Sequence, residues 1–120
     1  MNDRSIPRSL IILGVCMGIV HLFWSVATLF VFKEGEPLTS WIAVMAGPVL
    51  TMPAFIISFL VHRIGGSLLI AGGITSFVAL VIGYGLSVEV IYFGLLISVP
   101  MLILGRGFFT LKNSTAIRAQ

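Results

Sequence analysis

Four long runs of apolar residues, separated by short polar breaks, dominate the hydrophobic pattern of the chain. Each run has about 20 residues, the length that an α-helix needs to cross the hydrocarbon core of a bilayer. Little sequence is left for loops or for a separate soluble domain. The pattern predicts an all-α fold, an integral membrane four-helix bundle that forms one membrane domain over residues 1–120, with spans at about 9–32, 41–61, 64–84 and 90–109.

The breaks between the runs have the residues that end membrane helices. Lys33 to Pro37 combines charges, a glycine and a proline, and this combination interrupts a helix. His62 and Arg63 are predicted to form a very tight turn, and Gly85 to Glu89 a third loop. Glu89 is expected on this outer loop near the start of the fourth helix, where its charge suits the helix dipole.

Prolines lie inside two of the predicted spans, at Pro48 and Pro53 in the second and at Pro100 in the fourth. Each removes a backbone hydrogen bond and bends its helix. A broken membrane helix can mark a transport site, but proline is also common in membrane helices without such a role. We favour the structural interpretation.

The composition excludes an ordinary soluble domain. Hydrophobic residues make up 58% of the chain and charged residues 9%, whereas soluble domains have about 25% charged residues. The net charge is +3, but no basic run is long enough to follow a phosphate backbone. We therefore expect membrane lipid as the surroundings and no nucleic acid as a partner.

The distribution of basic residues predicts the orientation. Lysine and arginine are more frequent on the cytoplasmic side of membrane proteins. The first and third loops hold only Lys33, whereas six basic residues flank the spans on the other side: Arg4, Arg8, Arg63, Arg106, Lys112 and Arg118. The bias predicts a multi-pass protein of the cytoplasmic (inner) membrane with both termini in the cytoplasm.

Small residues recur at spacings of three and four on one face of each span, which lets helix backbones approach closely. The predicted packing positions are Gly14, Gly18, Gly47, Gly65, Gly72, Gly83 and Gly94. Gly14 and Gly18 also form a GxxxG motif, which serves either a dimer contact or packing within one chain. We favour packing within the chain.

His21 is the one strongly polar, titratable side chain near the middle of a predicted span, and such residues are functional candidates. The imidazole can bind the metal of a haem or chlorin, bond a substrate or relay a proton. Alternatively, it is a neutral ring that bonds a carbonyl or hydroxyl group of a neighbouring helix. We favour this second interpretation and expect no cofactor, with haem or chlorin binding as the alternative.

Residues 32–38, Pro53 and the sequence from Ile64 to Gly66 resemble the layout of small uncharacterised prokaryotic four-helix membrane proteins, a domain of unknown function. The resemblance covers about half of the chain. It implies four spans and no particular activity.

The remaining residues predict a protein that is not an enzyme, because the sequence has no nucleophile–base pair, phosphate loop or metal-spaced cluster, and Cys16 is the single cysteine. The small size and the glycine-rich faces favour a non-catalytic accessory or structural subunit of a larger membrane complex, which would contact other membrane subunits or its own copies. The alternatives are a self-assembling transporter or channel for a small solute or ion, and a haem- or pigment-binding subunit that uses His21.

Overall fold

The computed structural model describes residues 6–32 and 35–111, and 89% of these residues are helical, with no strand among them. This confirms the all-α class. The four helices of the described part are long and apolar enough to cross a bilayer, so the chain is a membrane protein. Arg4, Lys33, Glu34, Lys112 and Arg118 of the charge count lie outside the described residues. The helices are α1 (Arg8–Val31), α2 (Leu38–Leu60), α3 (His62–Tyr84) and α4 (Val88–Thr110).

The surface of the bundle is apolar and much of its interior is polar. Phe23, Phe30 and Leu60 are 75–85% exposed, whereas hydroxyl side chains such as Thr51 and Ser76 are fully buried. This distribution would leave a large apolar surface in contact with water. In a bilayer the same surface contacts lipid, and the buried hydroxyls bond neighbouring helices.

The turn between α2 and α3 is shorter than the sequence predicts. Val61 alone separates the two helices, in an extended conformation with φ −135° and ψ 98°. His62 and Arg63, which we predicted as the turn, are instead the first residues of α3. The His62 imidazole donates from Nδ1 to the carbonyl oxygen of Ser58, at 2.6 Å. It thereby replaces a backbone donor that α2 lacks at its C-terminus.

Helix α2 contains a π-helical segment over Met45–Val49, and Pro48 lies inside it. A proline has no N–H group for the hydrogen bond that an α-helix makes four residues back. In a π turn, a carbonyl oxygen accepts a hydrogen bond from the N–H group five residues later instead of four. The wider turn therefore accommodates the N–H group that proline lacks. The bend that the sequence predicts at Pro48 therefore takes the form of a widened turn.

Adjacent glycines let α3 contact two helices at once. A methyl group at Gly66 would lie 2.6 Å from the carbonyl oxygen of Gly105 on α4, and one at Gly73 would lie 3.3 Å from Met101. Gly65 and Gly72 face α2 instead, where a methyl group would collide with backbone atoms of Ser58 and Ala46, respectively. Pairs of neighbouring glycines, repeated seven residues apart, thus give α3 two narrow faces. We did not predict the face of Gly66 and Gly73.

The other predicted packing glycines also contact side chains of the same chain. Gly14 and Gly18, the GxxxG pair, face Phe55 and Met52 of α2. Gly83 faces Thr39. The remaining two face side chains of α3: Gly47 faces Ser76, and Gly94 faces Phe77.

The hydrophobic core lies toward one end of the bundle. Its fully buried members include Leu69, Leu104 and Phe108, which come from the first part of α3 and the last part of α4. The rings of Phe55 and Phe59 pack edge-on against Phe108 at 5.8–5.9 Å between ring centres. The opposite end is packed less tightly, and the candidate site lies there.

Candidate ligand cavity

A cavity of about 490 Å³ lies between all four helices at the end of the bundle opposite the core. Its lining residues lie within four stretches of chain: 24–32 at the end of α1, 40–48 in α2, 76–84 in α3 and 89–97 in α4. At about 1.5 Å per residue, each of these stretches spans about 12 Å. A volume of this size is typical of cavities that hold a small molecule.

The cavity wall is mainly aliphatic and aromatic. Four of its sixteen lining residues are aromatic, namely Trp24, Phe32, Tyr84 and Phe93. Trp24 and Phe93 pack edge to face with 5.9 Å between ring centres. They join α1 to α4, so the aromatic contact and the cavity share the same two side chains.

The exposure of the lining residues shows where the cavity opens. Val31, Tyr84 and Glu89 are exposed and lie at helix ends. Pro48 and Ser76, about 12 Å deeper along their helices, are buried. The cavity therefore opens at the end of the bundle where α1 and α3 end and α2 and α4 begin, and also to the side at Phe93, which is 47% exposed, whereas it is closed at Pro48 and Ser76.

Polar groups in the wall are few and lie mostly at the open end. The hydroxyls of Ser40 and Tyr84 are 2.5 Å apart and join α2 to α3. Deeper in the wall, the Ser76 hydroxyl donates to the carbonyl oxygen of Ala43 at 2.7 Å. The Thr28 hydroxyl donates to the carbonyl oxygen of Trp24 at 2.8 Å. Because one hydroxyl of the Ser40–Tyr84 pair donates to the other, the second O–H is left to donate to a ligand.

Glu89 is the only charged side chain among the described residues of the wall. It lies in the first turn of α4, which Ser87 caps by accepting a hydrogen bond from the backbone N–H of Val90 at 3.2 Å. The sequence predicts Glu89 on an outer loop near the start of the fourth helix. The structure places it in a helix and at the mouth of the cavity, although it is also exposed to solvent.

His21, the residue that we singled out as a ligand candidate, is buried between α1 and α2. Its Nδ1 lies 2.6 Å from the hydroxyl oxygen of Thr51, and that hydroxyl donates to the carbonyl oxygen of Gly47 at 2.9 Å. A threonine hydroxyl has one hydrogen. We assign this hydrogen to Gly47, so that the imidazole donates from Nδ1 and Nε2 carries the lone pair of the neutral ring.

The His21–Thr51 pair is about one helical turn deeper than the cavity floor, because His21 precedes Trp24 by three residues and Thr51 follows Pro48 by three. Among the described residues, His21 is not one of those that line the cavity. The structure thus gives the imidazole a hydrogen-bond partner on a neighbouring helix, as in the interpretation that we favoured. Within residues 6–32 and 35–111, no group of three His, Cys, Asp or Glu side chains is placed to hold a metal ion.

We expect Thr51→Val to destabilise the protein more than His21→Leu does. Without Thr51, the buried imidazole N–H has no acceptor, which costs about 1–3 kcal/mol. Without His21, the Thr51 hydroxyl keeps its bond to Gly47, so the loss is closer to the value of about 0.6 kcal/mol for one interhelical hydrogen bond. Unfolding in mixed micelles, followed by circular dichroism, measures both changes.

Thr28→Val is the matched control for this comparison. Thr28 is also buried in the bundle, but its hydroxyl bonds only the carbonyl oxygen of Trp24 in its own helix, so no donor loses its acceptor. Equal losses for Thr51→Val and His21→Leu would contradict the assignment of Nδ1 as a donor that depends on Thr51 for its acceptor.

Most wall residues carried no signal in the sequence that marked them as a site. Trp24, Phe32 and Phe93 are ordinary residues of apolar membrane spans, and their joint position depends on the way the helices cross. Glu89 could have been recognised as a charge near a span end, but not as a neighbour of these rings. The small residues Ala27 and Ala43 in the wall leave the volume unfilled.

No protein-family model, curated protein or solved structure matches the chain. The resemblance to small prokaryotic four-helix proteins therefore stays a prediction.

Proposed function

We propose that the chain is a non-catalytic, multi-pass membrane protein that binds a small, mostly apolar molecule in the cavity between its four helices. The observation that carries the proposal is an apolar and aromatic cavity of about 490 Å³ that opens at one end of the bundle. Ligand sites are concave, mainly apolar, and have a few polar groups that fix orientation. The hydroxyls of Ser40 and Tyr84 and the carboxylate of Glu89 supply such groups here.

The proposed location is the cytoplasmic (inner) membrane, with both termini in the cytoplasm. Arg8, Arg63 and Arg106 lie at the core end of the bundle, whereas Glu36 and Glu89 lie at the cavity end. The excess of arginine on cytoplasmic ends of membrane helices supports this orientation. In this orientation the cavity opens toward the outer face of the membrane, so the bound molecule enters from the outer leaflet or from the outside.

The cavity favours a solute-binding or transport role over the accessory-subunit role. The glycine-rich faces that suggested a partner subunit contact helices of the same chain, as for Gly14 and Gly18 against α2. The accessory-subunit role stays a prediction, and the glycine-rich faces no longer support it. Haem binding has less support as well, because His21 lies outside the cavity wall and bonds Thr51.

The two tryptophans allow a direct test of ligand binding. Trp24 lines the cavity, whereas Trp41 does not and packs against Phe32 with 4.8 Å between ring centres. We expect bromobenzene, an apolar heavy-atom quencher, to quench Trp24 in a Trp41→Phe variant with a saturable dependence on concentration. Steady-state fluorescence of the protein in lipid nanodiscs measures this.

A Trp24→Phe variant, which retains Trp41, controls for partition of the quencher into lipid. Its fluorescence should fall linearly and without saturation over the same concentrations. If Trp24 is also quenched linearly, the apolar probe enters only the lipid and the proposed binding function is wrong.

A further inference from the structure

The carboxylate of Glu89 at the cavity mouth bears on the charge of the molecule that binds in the cavity. This inference rests on the proposed binding function and adds the chemical class of the ligand. We propose that the cavity binds an amphipathic organic cation, with its positive group beside Glu89 and its apolar part against the rings of Trp24 and Phe93. A quaternary or tertiary ammonium joined to a ring or a short hydrocarbon chain has this chemistry.

The position of Glu89 relative to the rings supports a two-part ligand. Glu89 and Phe93 are four residues apart on α4, so their side chains project from the same face and lie about one turn apart. Phe93 contacts Trp24 edge to face deeper in the wall. A ligand that enters from the open end therefore meets a carboxylate first and an aromatic, apolar volume about 6 Å further in.

Among residues 6–32 and 35–111, no basic side chain lies at the cavity end of the bundle. The arginines in the described part, Arg8, Arg63 and Arg106, are all at the opposite end of the bundle. At the cavity end, the described acidic residues are Glu36 and Glu89. Residues 32–37 and 85–89, which connect the helices at this end, contain three acidic residues and one lysine. Their net charge is negative, which favours cations over anions.

Aromatic rings add to this preference. The faces of tryptophan, tyrosine and phenylalanine rings attract cations, and quaternary ammonium groups are bound in this way by aromatic cages. Tyr84 and Phe32 lie in the wall near the same end as Glu89. A neutral molecule of the same shape would keep the apolar contacts but lose both electrostatic contributions.

The alternative role for Glu89 is structural, because an acidic residue in the first turn stabilises a helix through the dipole. In that case Glu89→Gln would lower stability slightly and would change the binding of charged and neutral ligands equally. The two roles therefore differ in a measurable ratio, the affinity for a cation relative to that for its neutral isostere.

Benzyltrimethylammonium and neopentylbenzene are suitable probes, because they differ only in the replacement of a cationic nitrogen by carbon. Each is titrated against the Trp41→Phe protein in nanodiscs, with displacement of bromobenzene from Trp24 as the signal. We expect the cation to bind about tenfold more tightly than the isostere. Glu89→Gln should reduce this ratio to about one, and a general effect of the substitution on the cavity cancels because both probes are compared in the same variant.

Glu36→Gln is the matched control. It removes the same charge at the same end of the bundle, but Glu36 does not line the cavity, so the ratio should remain near that of the parent protein. If neopentylbenzene binds and the cation has no advantage, or if the advantage survives Glu89→Gln, the cation inference is overturned and the apolar binding function stands. If neither probe displaces bromobenzene, the proposed function itself fails.

Discussion

Replacing Gly66 with alanine is expected to destabilise the bundle by about 2–3 kcal/mol, at the upper end of the range for overpacked interiors. The added methyl group would lie 2.6 Å from the carbonyl oxygen of Gly105 and 2.7 Å from the backbone nitrogen of Phe109. Neither atom can move without shifting α4 as a whole. Unfolding in mixed micelles, followed by circular dichroism, should show this loss as a lower free energy of unfolding.

Gly18→Ala is the matched control for Gly66→Ala. Its methyl group would also be crowded, at 2.5 Å from Cε of Met52, but this atom is the end of a flexible side chain that can change rotamer. Alanine also improves the helix by about 0.5–1 kcal/mol relative to glycine. We therefore expect Gly18→Ala to be close to neutral. An equal loss for both variants would contradict the backbone contact between α3 and α4.

A second large effect is expected in the labelling of cysteines from the two sides of the membrane. In a Cys16→Ser background, Glu36→Cys should react with a membrane-impermeant maleimide in intact cells, and Arg63→Cys should react only after the cells are permeabilised. The reason is that Glu36 lies at the cavity end and Arg63 at the core end of the bundle, and the arginine-rich end is expected in the cytoplasm. Gel-shift detection of the label measures both reactions.

The result of this experiment is nearly all or none, so it decides the orientation. Labelling of Arg63→Cys from the outside, with Glu36→Cys protected, would invert the proposed topology. The cavity would then open toward the cytoplasm, and a bound solute would have to come from there.

The sequence was sufficient for the helices because their signal is local. A run of about 20 apolar residues has few structural solutions in a membrane, and the proline and glycine breaks mark the ends of the runs. The prediction of a turn at His62 and Arg63 was wrong, because a single extended residue, Val61, is enough to reverse the chain. Local composition cannot distinguish a one-residue turn from a two-residue turn.

The packing of α3 shows a second limit of sequence reasoning. Gly66 and Gly73 lie beside Gly65 and Gly72, and a search for one small-residue face per helix excludes them. A helix that packs against two neighbours needs two such faces. The number of neighbours depends on the arrangement of the bundle, which is a non-local property.

The cavity could not be predicted because it results from the space that side chains do not fill. Ala27 and Ala43 leave room between α1 and α2, and the π turn around Pro48 changes the face that α2 presents to its neighbours. Glu89 gains its candidate role only through its distance from rings on other helices. The sequence did identify His21 as an unusual residue, and its partner Thr51 became visible only in the structure.

The most direct test of the proposed function is the location of a bound apolar probe in crystals of the protein soaked with bromobenzene. Anomalous scattering from bromine reports the position of the probe without any assumption about its affinity. We predict a bromine peak inside the cavity, against the rings of Trp24 and Phe93. Bromine peaks confined to the lipid-facing surface of the helices, with an empty or collapsed cavity, would contradict the proposal.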